Sequence, residues 1–152
     1  GVVGIELPNE GRESVYLKEL VAHESFKKVL AEARPEDIVT FMSVAGLPAR
    51  AVLTPWLRSY LRHEKGLQAN ARADPRRCVP GIKCHTVCGL RDGIAGIGQF
   101  CIDTRLAFAM KGDVKKGLFF RGSEVLPFGA AIRPVEELMR YLLTGAMPAL
   151  QE

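Results

Sequence analysis

The sequence lacks the features that mark a membrane protein, an exported protein or several common enzyme classes. It has no run of about 18 apolar residues, so no membrane-spanning helix is predicted. It has no charged segment followed by an apolar one at its start, so no secretory signal is predicted. Walker P-loop, Gly-x-Ser-x-Gly and His-Glu-x-x-His motifs are all missing. The three histidines are scattered, and a histidine-based catalytic centre is not expected.

The length and the apolar content of the chain favour a single domain over residues 1–152. A chain of 152 residues, 47% of them hydrophobic, can bury a real core. The net charge of +4 is spread along the chain, with one basic cluster at Arg72, Arg76 and Arg77. This cluster could meet phosphates, but it has no interleaved aromatic residues. A solvated loop is the favoured interpretation, and nucleic acid is not an expected partner.

The ends of the chain and its cysteine usage suggest where it belongs. The chain begins at Gly1 without a Met, in an apolar run, as expected of a piece of a longer or processed protein. Residues 146–152 are expected to form a loose tail. Four cysteines without an export signal indicate a cytoplasmic protein, in which metal binding or thiol chemistry is commoner than structural disulfides.

The residue pattern predicts a small α/β domain that is mostly helical, with two or three short strands near the N-terminus and four helices. Strands are expected over residues 1–7 and 37–44, with another short one over 13–17, and helices over residues 18–33, 49–63, 102–111 and 134–143. Pro55 lies inside the second of these helices. It either kinks that helix or begins it, with Thr54 as the N-cap. Trp56 belongs to the apolar face of this helix, and a loop is predicted from Lys65 to Gly81.

Four cysteines within 24 residues form the most informative pattern: Cys78, Cys84, Cys88 and Cys101. Their spacing, C-x5-C-x3-C-x12-C, matches neither a zinc ribbon nor a ferredoxin run. Thiolates nevertheless bind soft metals at irregular spacings. A zinc ion or an iron–sulfur cluster bound by the four thiols, buried structural cysteines, and redox or disulfide chemistry all stay open. His85 is an alternative ligand.

From about residue 23 to residue 141 the order of motifs resembles the C-terminal third of the nitronate monooxygenase (2-nitropropane dioxygenase-like) flavoenzymes. The pieces are AHESFKKVLAEARPEDIV, GLPARAV, CVPGIKCHTVC, FCIDTRLAFAMKGDVKKGLFFRG and RPVEELMRYLL. The resemblance implies a fold related to the C-terminal part of a TIM-barrel flavoenzyme. It also implies FMN as cofactor and a small-molecule substrate, a nitronate or an enoyl compound. It places Gly46 to Arg50 after the end of the barrel, and Gly122 and Ser123 at a glycine-containing turn near the flavin.

The chain departs from this family in length and in its catalytic parts. A TIM barrel needs about 250 residues, and the family's FMN-phosphate loops and catalytic histidine would lie upstream. The resemblance therefore implies a C-terminal portion with no catalytic residue of its own, inactive alone, which needs a complementary chain or self-association. Residues 3–20 (VGIELPNEGRESVYLKEL) instead resemble the segment before the motor domain of FtsK/SpoIIIE DNA translocases. The alternative function is a non-catalytic binding or structural domain that contacts DNA, with buried or metal-binding cysteines.

Overall fold

A small mixed α/β arrangement, about half helical, is built around a two-stranded antiparallel sheet. The computed structural model describes residues 24–78, 84, 86–124, 128 and 134–146. In chain order these residues form α1 (Glu24–Glu32), a 3-10 turn (Pro35–Asp37), β1 (Ile38–Met42), β2 (Pro48–Val52), α2 (Pro55–Ala69), a second 3-10 turn (Pro75–Arg77), α3 (Gly89–Asp92), α4 (Ile102–Met110) and α5 (Val135–Thr144). The coarse prediction of a small α/β domain is confirmed, although the helices make up about half of the described residues and not most of them.

The sheet is a hairpin in which β1 pairs with β2 from Ile38 opposite Val52 to Met42 opposite Pro48. Its loop closes through the amide of Ser43, which donates to the carbonyl of Leu47 at 2.9 Å. Gly46 adopts φ +82°, a conformation that favours glycine. A bridge between Ala51 and Phe120 adds a distant segment to the edge of β2. The predicted strand over 37–44 is confirmed as β1.

The prediction of a helix over 49–63 is wrong in its first part. Residues 49–52 belong to β2, because their pairing with β1 outweighs the helical tendency of the two alanines and the arginine. The helix begins at Pro55, and the Thr54 hydroxyl caps it by accepting a hydrogen bond from the amide of Leu57 at 3.3 Å. The helix then continues to Ala69, so the first five residues of the predicted loop are helical as well. The helices predicted near 102–111 and 134–143 are confirmed as α4 and α5.

An aromatic cluster joins the hairpin to α2 and to the segment before α4. The rings of Tyr60 and Phe100 lie 5.0 Å apart, those of Trp56 and Phe100 5.3 Å apart, and those of Phe41 and Phe100 6.0 Å apart. Trp56 is half-buried, and the Arg105 guanidinium lies 4.3 Å from the centre of its ring. Phe100 therefore sits in a rigid setting, immediately before Cys101.

A second, smaller cluster attaches α1 through Leu30, Ala109 and Phe119. Next to it the buried side chain of Arg121 donates from Nε to the carbonyl of Leu30 at 3.0 Å and from Nη1 to the carbonyl of Gly122 at 2.9 Å. Leu30 lies in the last turn of α1, where carbonyls lack helical partners and a cation is favourable. Arg121 thus has a structural role that fixes the backbone before Ser123.

Some predictions lie outside the described residues. These are the strands at 1–7 and 13–17, the start of the helix at 18–23, the tail after residue 146, and the translocase-like segment. Among the helices that the structure does describe, none is long and apolar enough to cross a membrane.

Candidate functional site: a cavity lined by four cysteines

All four cysteines face one cavity of about 140 Å³. Its other walls are Leu90, Arg91, Ile102 and Asp103. The thiols are free, and their exposure differs: Cys88 is buried, Cys78 and Cys101 are half-buried, and Cys84 is exposed. The structure therefore brings together every cysteine singled out in the sequence, from a segment before α3 and from the start of α4.

Cys78 and Cys88 are placed by local backbone structure. The amide of Cys78 donates to the carbonyl of Pro75 at 3.1 Å, which closes the 3-10 turn before it. Cys88 occupies the N-cap of α3, where its amide donates to Asp92 Oδ2 at 3.0 Å and its sulfur accepts from the amide of Arg91 at 3.5 Å. A weak acceptor bond of this kind leaves the sulfur able to face the cavity.

Cys101 occupies the N-cap of α4, but its side chain makes no capping hydrogen bond. The backbone before it is held firmly. The amide of Gly98 donates to the carbonyl of Ser43 at 2.9 Å, and the amide of Gln99 donates to the Tyr60 hydroxyl at 3.1 Å. The Cys101 thiol is thus positioned by its backbone and is not used by the helix.

Two glycines let the cysteine-bearing segments approach each other. A Cβ on Gly89 would lie 2.2 Å from the carbonyl oxygen of Gly98, and a Cβ on Gly98 would lie 2.6 Å from the carbonyl oxygen of Met42. The amide of Gly89 also donates to the carbonyl of Val44 at 2.8 Å. Because any side chain would separate these backbones, the convergence of Cys88 and Cys101 depends on glycine at both positions.

The charges around the cavity couple the thiols to one another. The pKa of Cys78 is raised, first by its partial burial and then by Cys88, Cys101 and Cys84, while Arg91 opposes the shift. The pKa of Arg91 is itself raised, mainly by its hydrogen bond to Asp92. Ionising all four thiols together is therefore unfavourable unless positive charge enters the cavity.

Arg91 is the site residue that the sequence pattern did not single out. Its Nη2 donates to the carbonyl of Thr86 at 2.9 Å and to Asp92 Oδ2 at 2.6 Å. It thereby ties the segment that contains Cys84 to α3. Its spacing from Cys88 could have indicated its place in the site, because Arg91 follows Cys88 by three residues and so lies about one helical turn away.

The described residues do not form a closed site for a single metal ion. Among them, no group of three or more His, Cys, Asp or Glu side chains is arranged to hold one ion. His85, the alternative ligand, lies outside the residues that the structure describes. The cavity therefore presents four thiols around a common space and not a tight coordination sphere.

The two residues predicted to contact FMN lie elsewhere, next to β2. Ser123 Oγ accepts a hydrogen bond from Arg50 Nη1 at 3.0 Å, and the amide of Arg121 donates to the carbonyl of Arg50 at 3.3 Å. Gly122 is open to its surroundings, with no atom within 4 Å of the position that a Cβ would take. Neither Gly122 nor Ser123 lines the cysteine cavity.

No protein-family model matches the chain, and no curated protein matches it. The resemblance to nitronate monooxygenases therefore stays a prediction.

Proposed function

We propose that this chain is the C-terminal portion of an FMN-dependent, nitronate monooxygenase-like oxidoreductase that is inactive alone. The observation that supports this proposal is the contact between two stretches about 70 residues apart. The resemblance places one of them (Gly46 to Arg50) after the end of the barrel and the other (Gly122 and Ser123) at a turn near the flavin.

One direct link, from Arg50 to Ser123, and two links between neighbouring residues hold these stretches together. The amide of Val52 donates to the carbonyl of Phe119 at 2.9 Å, Ala51 bridges to Phe120, and Arg50 bonds to Ser123. The Arg50 guanidinium and the Ser123 hydroxyl are donors that suit a phosphate or carbonyl oxygen of FMN. When bound, FMN supplies the electron-transfer chemistry, and this chain contributes positioned donors on one side only.

The exposed apolar side chains of the described residues suit a chain that is covered by further structure. Leu47, in the hairpin loop next to β2, is 67% exposed, and Leu143 on α5 is 80% exposed. Met139 and Leu142 on α5 are also exposed. Large apolar residues grouped on one helix usually mark a contact surface. A complementary chain or self-association would cover them.

Amide chemical shifts of the isotope-labelled chain, recorded during a titration with FMN, test this proposal. Shifts confined to Arg50, Gly122 and Ser123 are expected, weaker in Ser123→Ala and unchanged in the exposed control Lys65→Ala. Riboflavin, which lacks the phosphate, separates ring contacts from phosphate contacts. Saturating FMN that moves no amide in these two stretches would refute the proposal. Oxygen uptake with an alkyl nitronate should stay at the background of free FMN.

A DNA-contacting domain is the second candidate. Arg72, Arg76 and Arg77 are all exposed, and of these only Arg76 forms an ion pair within the described part of the chain, with Asp74 at 3.6 Å. Binding of a labelled DNA duplex that falls steeply with salt, and weakens in Arg72→Ala and Arg77→Ala, would favour this function. Binding that depends neither on salt nor on these arginines would exclude a DNA-contacting function.

A further inference from the structure

We propose that the cavity lined by Cys78, Cys84, Cys88 and Cys101 binds an iron–sulfur cluster. The proposal goes beyond the flavoenzyme function and does not rest on it, because it concerns residues that do not contact the predicted FMN turn.

The number of thiols and the size of the space favour a cluster over a single ion. A zinc ion holds four ligands at about 2.3 Å from one centre, which forces the sulfurs into mutual contact. No three ligand side chains among the described residues are arranged in that way. A cluster keeps its four cysteine sulfurs further apart, because iron and sulfide atoms lie between them, and four cysteines are its usual ligand set. The cavity of about 140 Å³ gives room for such a multi-atom guest.

The thiols are available for ligation. All four are free, and the cavity also carries the apolar walls Leu90 and Ile102, which limit water around bound metal. The backbones of Cys88 and Cys101 are fixed by the close approach of Gly89 and Gly98. Cys84 is exposed and sits on the outer side, where it can complete the ligand set.

Charge supports the same guest. Four thiolates repel one another, and iron cations among them remove that repulsion. The cluster with its thiolates stays anionic, and the cavity wall carries Arg91, which is ion-paired with Asp92, together with the acidic Asp103. Arg91 is a positioning residue in this arrangement, because it also ties Thr86 to α3.

Assembly of the cluster needs only ferric iron, sulfide and a dithiol reductant, and its atoms and electrons balance. Binding releases four thiol protons. A two-iron cluster takes both irons as ferric ions with two sulfides. A four-iron cluster takes four ferric ions and four sulfides, and a dithiol such as dithiothreitol reduces two of the irons, losing two electrons and two protons as it becomes a disulfide.

The test is anaerobic reconstitution of the full chain with ferric iron, sulfide and dithiothreitol, followed by desalting. We expect about two or about four iron atoms per chain, an equal amount of acid-labile sulfide, and a broad visible absorption that bleaches on reduction. Cys84→Ala and Cys78→Ala, which change exposed or half-buried positions, should each lose at least two thirds of the bound iron. Asp103 lines the same cavity but has no thiol, so Asp103→Asn should retain the bound iron. Circular dichroism melting of each variant shows whether it folds.

Three results would overturn the proposal. One is iron below a tenth of an atom per chain in a folded wild-type protein. Another is an equal iron content in wild type and in both cysteine variants, which would mean adventitious iron only. The third is one zinc per chain, bound without sulfide and not displaced under reconstitution conditions, which would mean a mononuclear site. None of these results bears on FMN, so the two proposals fail separately.

Discussion

Replacing Gly89 with Ala should destabilise the protein, because the nearest atom that a methyl group at this position meets belongs to the backbone, which cannot move aside as a side chain can. The new Cβ would lie 2.2 Å from the carbonyl oxygen of Gly98 and 2.8 Å from Gln99 Nε2. Real Cβ atoms essentially never lie within 3.0 Å of another heavy atom, so the backbones of Gly89 and Gly98 must separate. Overpacking of a tight contact costs about 1–3 kcal/mol.

The size of the effect can be read from thermal melting. For a chain of this length, each kcal/mol lowers the melting temperature by about 2–4 °C, so a loss of roughly 2–12 °C is expected for Gly89→Ala. The bound iron of reconstituted protein should fall at the same time, because the separation moves Cys88 away from Cys101.

Gly66→Ala is the matched control. Gly66 lies inside α2 with no atom within 4 Å of its Cβ position, so the same substitution should stabilise the protein by about 1 kcal/mol through helix propensity. If Gly89→Ala melts at or above the wild-type temperature while Gly66→Ala behaves as expected, the close approach of the two cysteine-bearing segments is not real.

Three further substitutions probe the cap, the aromatic cluster and the cavity. Thr54→Ala removes the N-cap of α2 and the hydroxyl that donates to the carbonyl of Gly117 at 3.1 Å, and urea unfolding should show a loss of about 1–2 kcal/mol; Thr54→Ser should recover most of it. Trp56→Ala should cost about 3 kcal/mol, since it removes ring contacts and the stacking of Arg105, and a cost near zero by the same assay would place this face outside the core. The folded pKa of Cys78 is raised, so its contribution to stability is present below the ordinary thiol pKa of about 8.5 and is lost as the pH rises through the raised value. The melting temperature of the metal-free protein should therefore fall more steeply from pH 7 to pH 10 than that of Cys78→Ser. Parallel curves would contradict the raised pKa of Cys78.

Local signals predicted β1, α4, α5 and most of α1 and α2, whereas α3 was not predicted. Pro55 after a threonine marks the start of α2, and Pro134 together with Gly145 brackets α5, which ends in a left-handed residue at Gly145. Caps and helix-ending residues act within one or two helical turns, so the neighbouring sequence is enough to predict where these helices begin and end.

Features that depend on partners distant in sequence could not be predicted from the sequence. The residues of β2 have no strand pattern of their own, and they are extended because β1 and Phe120 pair with them. The cysteine spacing indicated thiol chemistry, but the shared cavity arises from contacts of Gly89 and Gly98 that no local pattern encodes. Arg91 was missed for the same reason, since its importance comes from its partners.

The hydrogen bond from Arg121 to Leu30 joins residues 91 positions apart, and Thr54 reaches Gly117 across 63. Contacts of such long sequence separation form slowly, because a large loop must close before any of them gains energy. During synthesis the buried residues Ala51 and Leu57 therefore emerge from the ribosome well before the segment that covers them. Until residues 117–121 are translated, the segment that contains Ala51 and Leu57 exposes apolar surface. That segment is open to aggregation until the later residues are made and cover it.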